Sequence, residues 1–401
     1  MLATFKRIRP VPSLDTVLTD EMLARFDARS PQYDRDNRFF DEDFEELLQS
    51  GYLNIALPPE FGGLGLSLAE VAQLQRRLAY VAPATALAVN MHIYWVGLVA
   101  DLYRSGDHSY DRLLEEAAAG HILAAGHGET GNDVPLTLST TRAERVEGGW
   151  EFTGHKIFSS LSPVWTLLGL HGMDTSDPDH PQIVHAFLPR DSRGFTVKET
   201  WDTLGMRATQ SNDTVLDRAF VPDSHVACVT PAGFAGANLF VLGVNAWALL
   251  NFAAIYQGVA ERAFDLAVSS AKSKSSIALT RSMAYHPGVQ HYIAEMRMAL
   301  ESIDAIVRRT TEDWASGVNH GVDWAVKIVT TKYTATNLAW QVVDTALDLS
   351  GGGGIFKRSR MEQLFRDARL GRIHPANTLL THEVVGKISL GINPDEMPRW
   401  G

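Results

Sequence analysis

The spacing of the apolar residues changes twice along this chain of 401 residues, and few architectures tolerate such a change. From about Leu18 to Gly120, apolar positions recur at helical spacing, as in Phe44, Leu47 and Leu48 or Val71, Leu74, Leu78 and Val81. Ser67 followed by Glu70 marks the entry to the second stripe as a capping box. From about Leu123 to Thr230 the pattern shortens to strand-like runs such as Trp150 to Thr153 and Ile183 to Leu188. Gly148-Gly149, the 174–181 stretch and Pro222-Asp223 punctuate them as turns. Helical spacing resumes near Gly236. Three long helices are expected over Leu239–Lys272, His286–Ser316 and Asp323–Asp348, with a fourth following the glycine run 351–354 and ending near Leu390. Helices, then strands, then helices predict an α+β fold: an N-terminal helical domain (1–122), a middle antiparallel β-domain (123–230) and a C-terminal four-helix bundle (231–401).

Composition removes several function classes. A net charge of -11 argues against a nucleic-acid surface, which needs a concentrated basic face. The single cysteine, Cys228, rules out an intramolecular disulfide and any zinc site built on several thiolates, and no metal is expected. The N-terminus has no apolar leader segment, and the apolar stretch Leu239 to Ala254 is interrupted by Asn245 and Asn251. The expectation is a cytoplasmic soluble protein with no membrane span.

Local motifs in a fixed order narrow the reading. They are Pro58-Pro59-Glu60-Phe61-Gly62-Gly63-Leu64-Gly65, Gly128-Glu129-Thr130-Gly131-Asn132-Asp133 and Thr153-Gly154-His155-Lys156-Ile157-Phe158-Ser159-Ser160. After them come Leu204-Gly205-Met206-Arg207 with Val221-Pro222, then Ser350 with the glycines 351–354, and Phe365-Arg366-Asp367-Ala368-Arg369. By these motifs, spread over nearly the whole chain, the sequence resembles the acyl-CoA dehydrogenase superfamily. That resemblance implies FAD held between the β-domain and the bundle. It also implies a homotetramer or homodimer, because the cofactor spans a subunit interface. Residue by residue, Gly128 and Asn132 belong to the segment that passes over the flavin. Phe158 would lie against the isoalloxazine, Ser160 beside the reactive flavin nitrogen, and Arg281 near the FAD phosphates. Gly351 and Gly352 would receive the cofactor of a neighbouring subunit. Arg207 is expected to be structural.

The departures from the family pattern carry the functional question. The usual catalytic Glu, which removes the substrate α-proton, falls at Pro375 in Ile373-His374-Pro375-Ala376-Asn377-Thr378. The alternative position on the first bundle helix falls at about Ala248. His374 beside the lost position is the candidate base, since an unperturbed imidazole titrates at about 6.5. Three readings follow. The first is a dehydrogenase acting on a small molecule such as an acyl-CoA and passing electrons to an acceptor. The second is a monooxygenase using reduced flavin from a flavin reductase, and the third is a non-catalytic relative. The motif order puts the dehydrogenase first.

Overall fold

The computed structural model describes residues 13–233 and 238–393. Residues 1–12, where an apolar leader was sought, and 234–237, where helical spacing resumes, lie outside them. The N-terminal part consists of α1 (Leu14–Val17), α2 (Asp20–Asp36), α3 (Asp41–Ser50), α4 (Leu68–Val81), α5 (Pro83–Arg104) and α6 (Asp111–Ala119). The predicted capping box forms at the head of α4: Ser67 Oγ accepts from the Glu70 amide, and the Ser67 amide donates to the Glu70 carboxylate at 2.8 Å. Phe44, Leu47, Val71, Leu78 and Val81 are all buried, so both helical stripes face the core.

Nine strands follow among the described residues: β1 (Leu123–Gly126), β2 (Gly128–Glu129), β3 (Arg142–Val146), β4 (Gly149–Ser159), β5 (Leu167–Asp174), β6 (Gln182–Pro189), β7 (Phe195–Lys198), β8 (Asn212–Pro222) and β9 (Val226–Pro231). They form one sheet in the order β7-β8-β4-β3-β5-β6-β9, with β1 beside β5 and β2 beside β4. Most pairs are antiparallel, as expected. The exceptions are β1 with β5 and the single bridge Arg142↔Met173 between β3 and β5. A parallel neighbour needs a long crossover, and the β2–β4 segment supplies one between β1 and β5.

The bundle contains α7 (Leu239–Ser273), α8 (Pro287–Ala315), α9 (Asp323–Ser350), α10 (Arg360–Leu370) and α11 (Thr378–Ser389). The fourth expected helix is therefore two. Pro375 disfavours helical backbone before it, and Ala376 takes a left-handed φ of 56°, so 371–377 becomes a loop. Helices α5 and α7 are long and apolar enough to cross a membrane, but 94% and 78% of their most apolar windows are buried inside the protein. Their apolar surface is consumed by the core.

One junction fixes the β-domain against the bundle. Gly205 lies on the Arg366 backbone, and a Cβ there would meet Arg366 O at 2.5 Å, so only glycine permits the approach. The neighbouring Met206 amide donates to Asp367 Oδ1 at 2.6 Å, while Arg366 pairs with buried Asp34 of α2 and with Glu362. Arg207 donates to the Asp34 backbone oxygen at 2.9 Å and to Asp202 at 2.8 Å, a structural role that ties the β-domain to α2 while Arg366 ties α2 to the bundle. Burial, and then the Asp34 charge, push the Asp367 carboxyl up from 3.8 to about 7. A carboxyl raised in this way favours the folded state fully below its unfolded pKa, and that contribution is lost as pH rises through about 7. Asp367→Asn keeps an acceptor for the Met206 amide but cannot ionise. The melting-temperature difference between variant and wild type should move in the variant's favour from about pH 5 to about pH 8. An unchanged difference contradicts the assignment.

Candidate active site

The site is built outward from one buried ion pair. Strand alternation turns Lys156 of β4 inward to zero exposure, where its ammonium donates to Glu129 Oε1 at 2.5 Å and to the His171 carbonyl at 2.6 Å. Glu129 also accepts from Ser139 Oγ (2.7 Å), Thr141 Oγ1 (2.6 Å), the amides of Thr140 and Thr141, and Asn132 Nδ2 (2.9 Å). Burial alone would raise this carboxyl, but Lys156 and the other donors outweigh it and hold it at about 2. Burial in turn draws the Lys156 ammonium down to about 8 against the pull of Glu129. The 128–141 segment is thus folded around a single carboxylate. Asn132 is part of that folding: its Nδ2 also reaches the Leu138 carbonyl at 2.8 Å and its Oδ1 accepts from the Val134 amide at 3.0 Å, so both polar atoms of the side chain have protein partners.

Beside this hub the end of β4 makes a corner with the 200–211 loop. Gly128 pairs with Ile157 across the sheet, and a Cβ on it would meet Ile157 O at 2.8 Å and the Phe158 ring at 3.2 Å. Phe158 stands 58% exposed, edge-on to Trp201 with ring centroids 6.1 Å apart. Four non-glycine residues of this corner adopt left-handed backbone: Phe158 (61°), Leu161 (65°), Met206 (52°) and Gln210 (45°). Each such residue costs on the order of 1–3 kcal/mol, and strain of this kind gathers at functional sites. Below the exposed ring runs a buried chain of hydroxyls. Ser160 Oγ lies 2.7 Å from Ser211 Oγ, which lies 2.7 Å from Thr209 Oγ1, and Thr209 Oγ1 donates to the Met206 carbonyl at 2.9 Å. Gly128, Phe158 and Ser160 therefore meet in one place.

The 371–377 loop follows α10, four residues beyond the Asp367 that docks Met206. In it His374 Nε2 shares a 2.8 Å hydrogen bond with Tyr256 OH, and the imidazole stacks on Phe252 of α7 at 5.0 Å. Lys332 of α9, 1% exposed, donates to the carbonyls of His374 (3.0 Å) and Ala376 (3.2 Å). Burial first and Lys332 second hold the His374 imidazole down to about 3, and burial brings Lys332 itself to about 7. Tyr256, pushed well above its ordinary range by burial, stays protonated and shares this hydrogen bond with a neutral imidazole. His374 is thus a weakly basic imidazole whose Nε2 is already engaged.

The remaining candidates gather at one end of the bundle. Lys274 Nζ donates to the Ser350 carbonyl at 2.8 Å, joining the loop that carries Arg281 to the turn at Gly351 and Gly352. Arg281 is exposed, with its guanidinium 4.9 Å from the Tyr285 ring, and the Cβ side of both glycines is open. No hydrogen bond or ion pair among the described residues links this end to the Phe158–Ser160 corner.

Known proteins show the same three-part order. The acyl-CoA dehydrogenase N-terminal domain matches residues 18–120, the middle domain 124–219 and the C-terminal domain 246–375. The chain belongs to the acyl-CoA dehydrogenase superfamily. It is accordingly a flavin-dependent enzyme, as the motif resemblance implied. A putative acyl-CoA dehydrogenase of Bacillus subtilis is 27% identical over 353 residues, covering 87% of this chain and 90% of its own length. An L-evernosamine nitrososynthase of a Micromonospora species is also 27% identical, covering 87% and 83%. The crystal structure of a nitrososynthase from Micromonospora carbonacea superposes with a TM-score of 0.81 at 25% identity, covering 95% of this chain and 98% of that one.

The sequence did not single out Glu129, Ser211, Thr209, Tyr256 or Lys332. Lys156 carried the one available signal, a charge on the inward side of a strand, which demands a buried partner. Replacing Lys156 by Met would leave the Glu129 carboxylate buried without its cation and should cost about 3–5 kcal/mol in a urea-denaturation experiment. A loss below about 1 kcal/mol, the size expected of a surface pair, would contradict the hub.

Proposed function

We propose that this superfamily member is a reduced-flavin-dependent monooxygenase that oxygenates an amine or similar nucleophilic centre of a small molecule. The observation that carries this reading is the 371–377 loop. α-Proton abstraction needs a base whose pKa is matched to the working pH. The loop offers Pro375 and an imidazole held at about 3 and bonded to Tyr256, while Ala248 occupies the alternative position. Flavin oxygenation does not need that base. The similarity to a nitrososynthase over 87% of the chain supports the same reading, although the similarity to a putative dehydrogenase is equal in identity.

The residues present fit a flavin. Phe158 and Trp201 put two aromatic rings at this corner, Gly128 lets β2 pack directly on Ile157 and the Phe158 ring, and Ser160 offers a hydroxyl beside them. When bound, reduced flavin supplies the two electrons that divide dioxygen, one atom entering the substrate and the other leaving as water. The protein's part is positional: the Glu129–Lys156 hub sets the 128–141 cover, Phe158 orients the ring, and the 371–377 loop forms an adjoining wall. The finer choice of FAD rests on Arg281 with Gly351 and Gly352, which could receive the second phosphate and adenine across a subunit interface in a dimer or tetramer. A separate reductase supplies the reduced cofactor, and the cytoplasm suits that supply.

The test is oxygenation under ¹⁸O₂ with purified protein, reduced flavin and a panel of amino sugars and simpler primary amines. One labelled oxygen in a product, dependent on reduced flavin, is expected. Absence of label with every substrate, alongside flavin reduction by an acyl-CoA, would overturn the proposal in favour of dehydrogenation.

A further inference from the structure

The hydroxyl chain at the corner has a direction, and that direction bears on which redox state of the cofactor the site accepts. A carbonyl oxygen can only accept, so the 2.9 Å contact at its inner end commits the Thr209 proton to the Met206 carbonyl. Thr209 Oγ1 can then only accept from Ser211, at 2.7 Å, which commits the Ser211 proton. Ser211 Oγ in turn accepts from Ser160, at 2.7 Å, which commits the Ser160 proton. Ser160, Ser211 and Thr209 are all at least nine-tenths buried, so bulk water does not compete for these bonds. What remains on Ser160 is lone pairs. Its outward-facing capability is that of an acceptor.

A flavin changes character at its central nitrogen on reduction, from a bare ring nitrogen that accepts to an N–H that donates. We infer that the Met206–Thr209–Ser211–Ser160 chain makes the site selective for reduced flavin, with Ser211 and Thr209 acting as positioning residues for the Ser160 hydroxyl. Oxidised flavin would be received only at the cost of one bond: either Ser160 turns alone and releases Ser211, or all three hydroxyls reverse and give up the bond to Met206. That carbonyl would keep the Thr209 amide at 3.1 Å and the Trp201 indole at 3.2 Å, so the reversed state is reachable at the cost of one bond. A neutral hydrogen bond is worth about 0.5–1.5 kcal/mol net, so the preference should approach tenfold. The inference rests on the reading of this corner as the flavin site. It suits an enzyme that collects reduced cofactor from a reductase and gives up the oxidised form after turnover.

The experiment compares two affinities by quenching of intrinsic tryptophan fluorescence. The full-length protein, stripped of flavin, is titrated with oxidised FMN and, anaerobically, with dithionite-reduced FMN. Wild type should bind the reduced form about tenfold more tightly, equivalent to a rise of about 30 mV in the two-electron potential of the bound flavin. Ser211→Ala frees the Ser160 proton, and Thr209→Val removes the anchor on Met206 while leaving the Ser160–Ser211 contact. Each should bring the ratio close to one, mainly by tightening oxidised FMN. A merely structural role would weaken both forms alike and leave the ratio unchanged. If Ser160→Ala alters FMN binding but Ser211→Ala and Thr209→Val leave the ratio as in wild type, the directional chain is refuted while the flavin site stands. If none of the three variants changes either affinity, the corner is not the flavin site and both readings fall.

Discussion

The architecture of the site depends on burying one carboxylate. Glu129 sits in the interior of the β-domain with Lys156, two hydroxyls, two backbone amides and the Asn132 amide converging on it. A charge in such a place is tolerable only when its partners are complete, because an uncompensated buried ion costs several kcal/mol. That requirement makes the 128–141 segment a defined shape although it contains little regular secondary structure. It also sets the position of β4, and through β4 the turn at Phe158 and Ser160. Of the three histidines nearby, His171 and His185 are buried and His127 half-buried; all are held neutral, with desolvation the chief cause and Lys156 contributing. The hub therefore holds its charges as one compensated pair among neutral imidazoles.

A second constraint joins this corner to the bundle. The approach of Gly205 to α10, and the Met206 amide on Asp367, bring the strained 200–211 loop against the helix that leads into 371–377. The loop's shape follows from Lys332 beneath it and from Tyr256 and Phe252 beside it. The 371–377 loop is thereby clamped, with a neutral imidazole in it. On the function proposed above, one scaffold serves different flavin chemistry by changing what this loop presents.

Most of the fold was legible because it depends on local signals: apolar spacing set the helices and strands, and Ser67 with Glu70 set a helix start. The break between α10 and α11 was missed because a single proline inside a helical pattern does not reveal whether the chain kinks or turns. The parallel pairing of β1 with β5 was missed because register across some forty residues has no local signature. At the site, the motifs located Gly128, Phe158 and Ser160 in one corner, but their partners come from residues distant in sequence. Ser211 and Thr209 read as ordinary loop hydroxyls until the fold places them under Ser160. His374 looked like a free imidazole because the sequence does not show Tyr256, 118 positions away, already engaging its ring nitrogen.

The central claim is that this flavoprotein lacks the base for dehydrogenation, and the most direct test is spectroscopic. The flavin-loaded protein, held anaerobically, is titrated with a panel of acyl-CoAs while the oxidised flavin band is followed. The account predicts that the band persists with every acyl-CoA and disappears only on adding dithionite. Bleaching by any acyl-CoA would show that a base is present after all and would contradict the account.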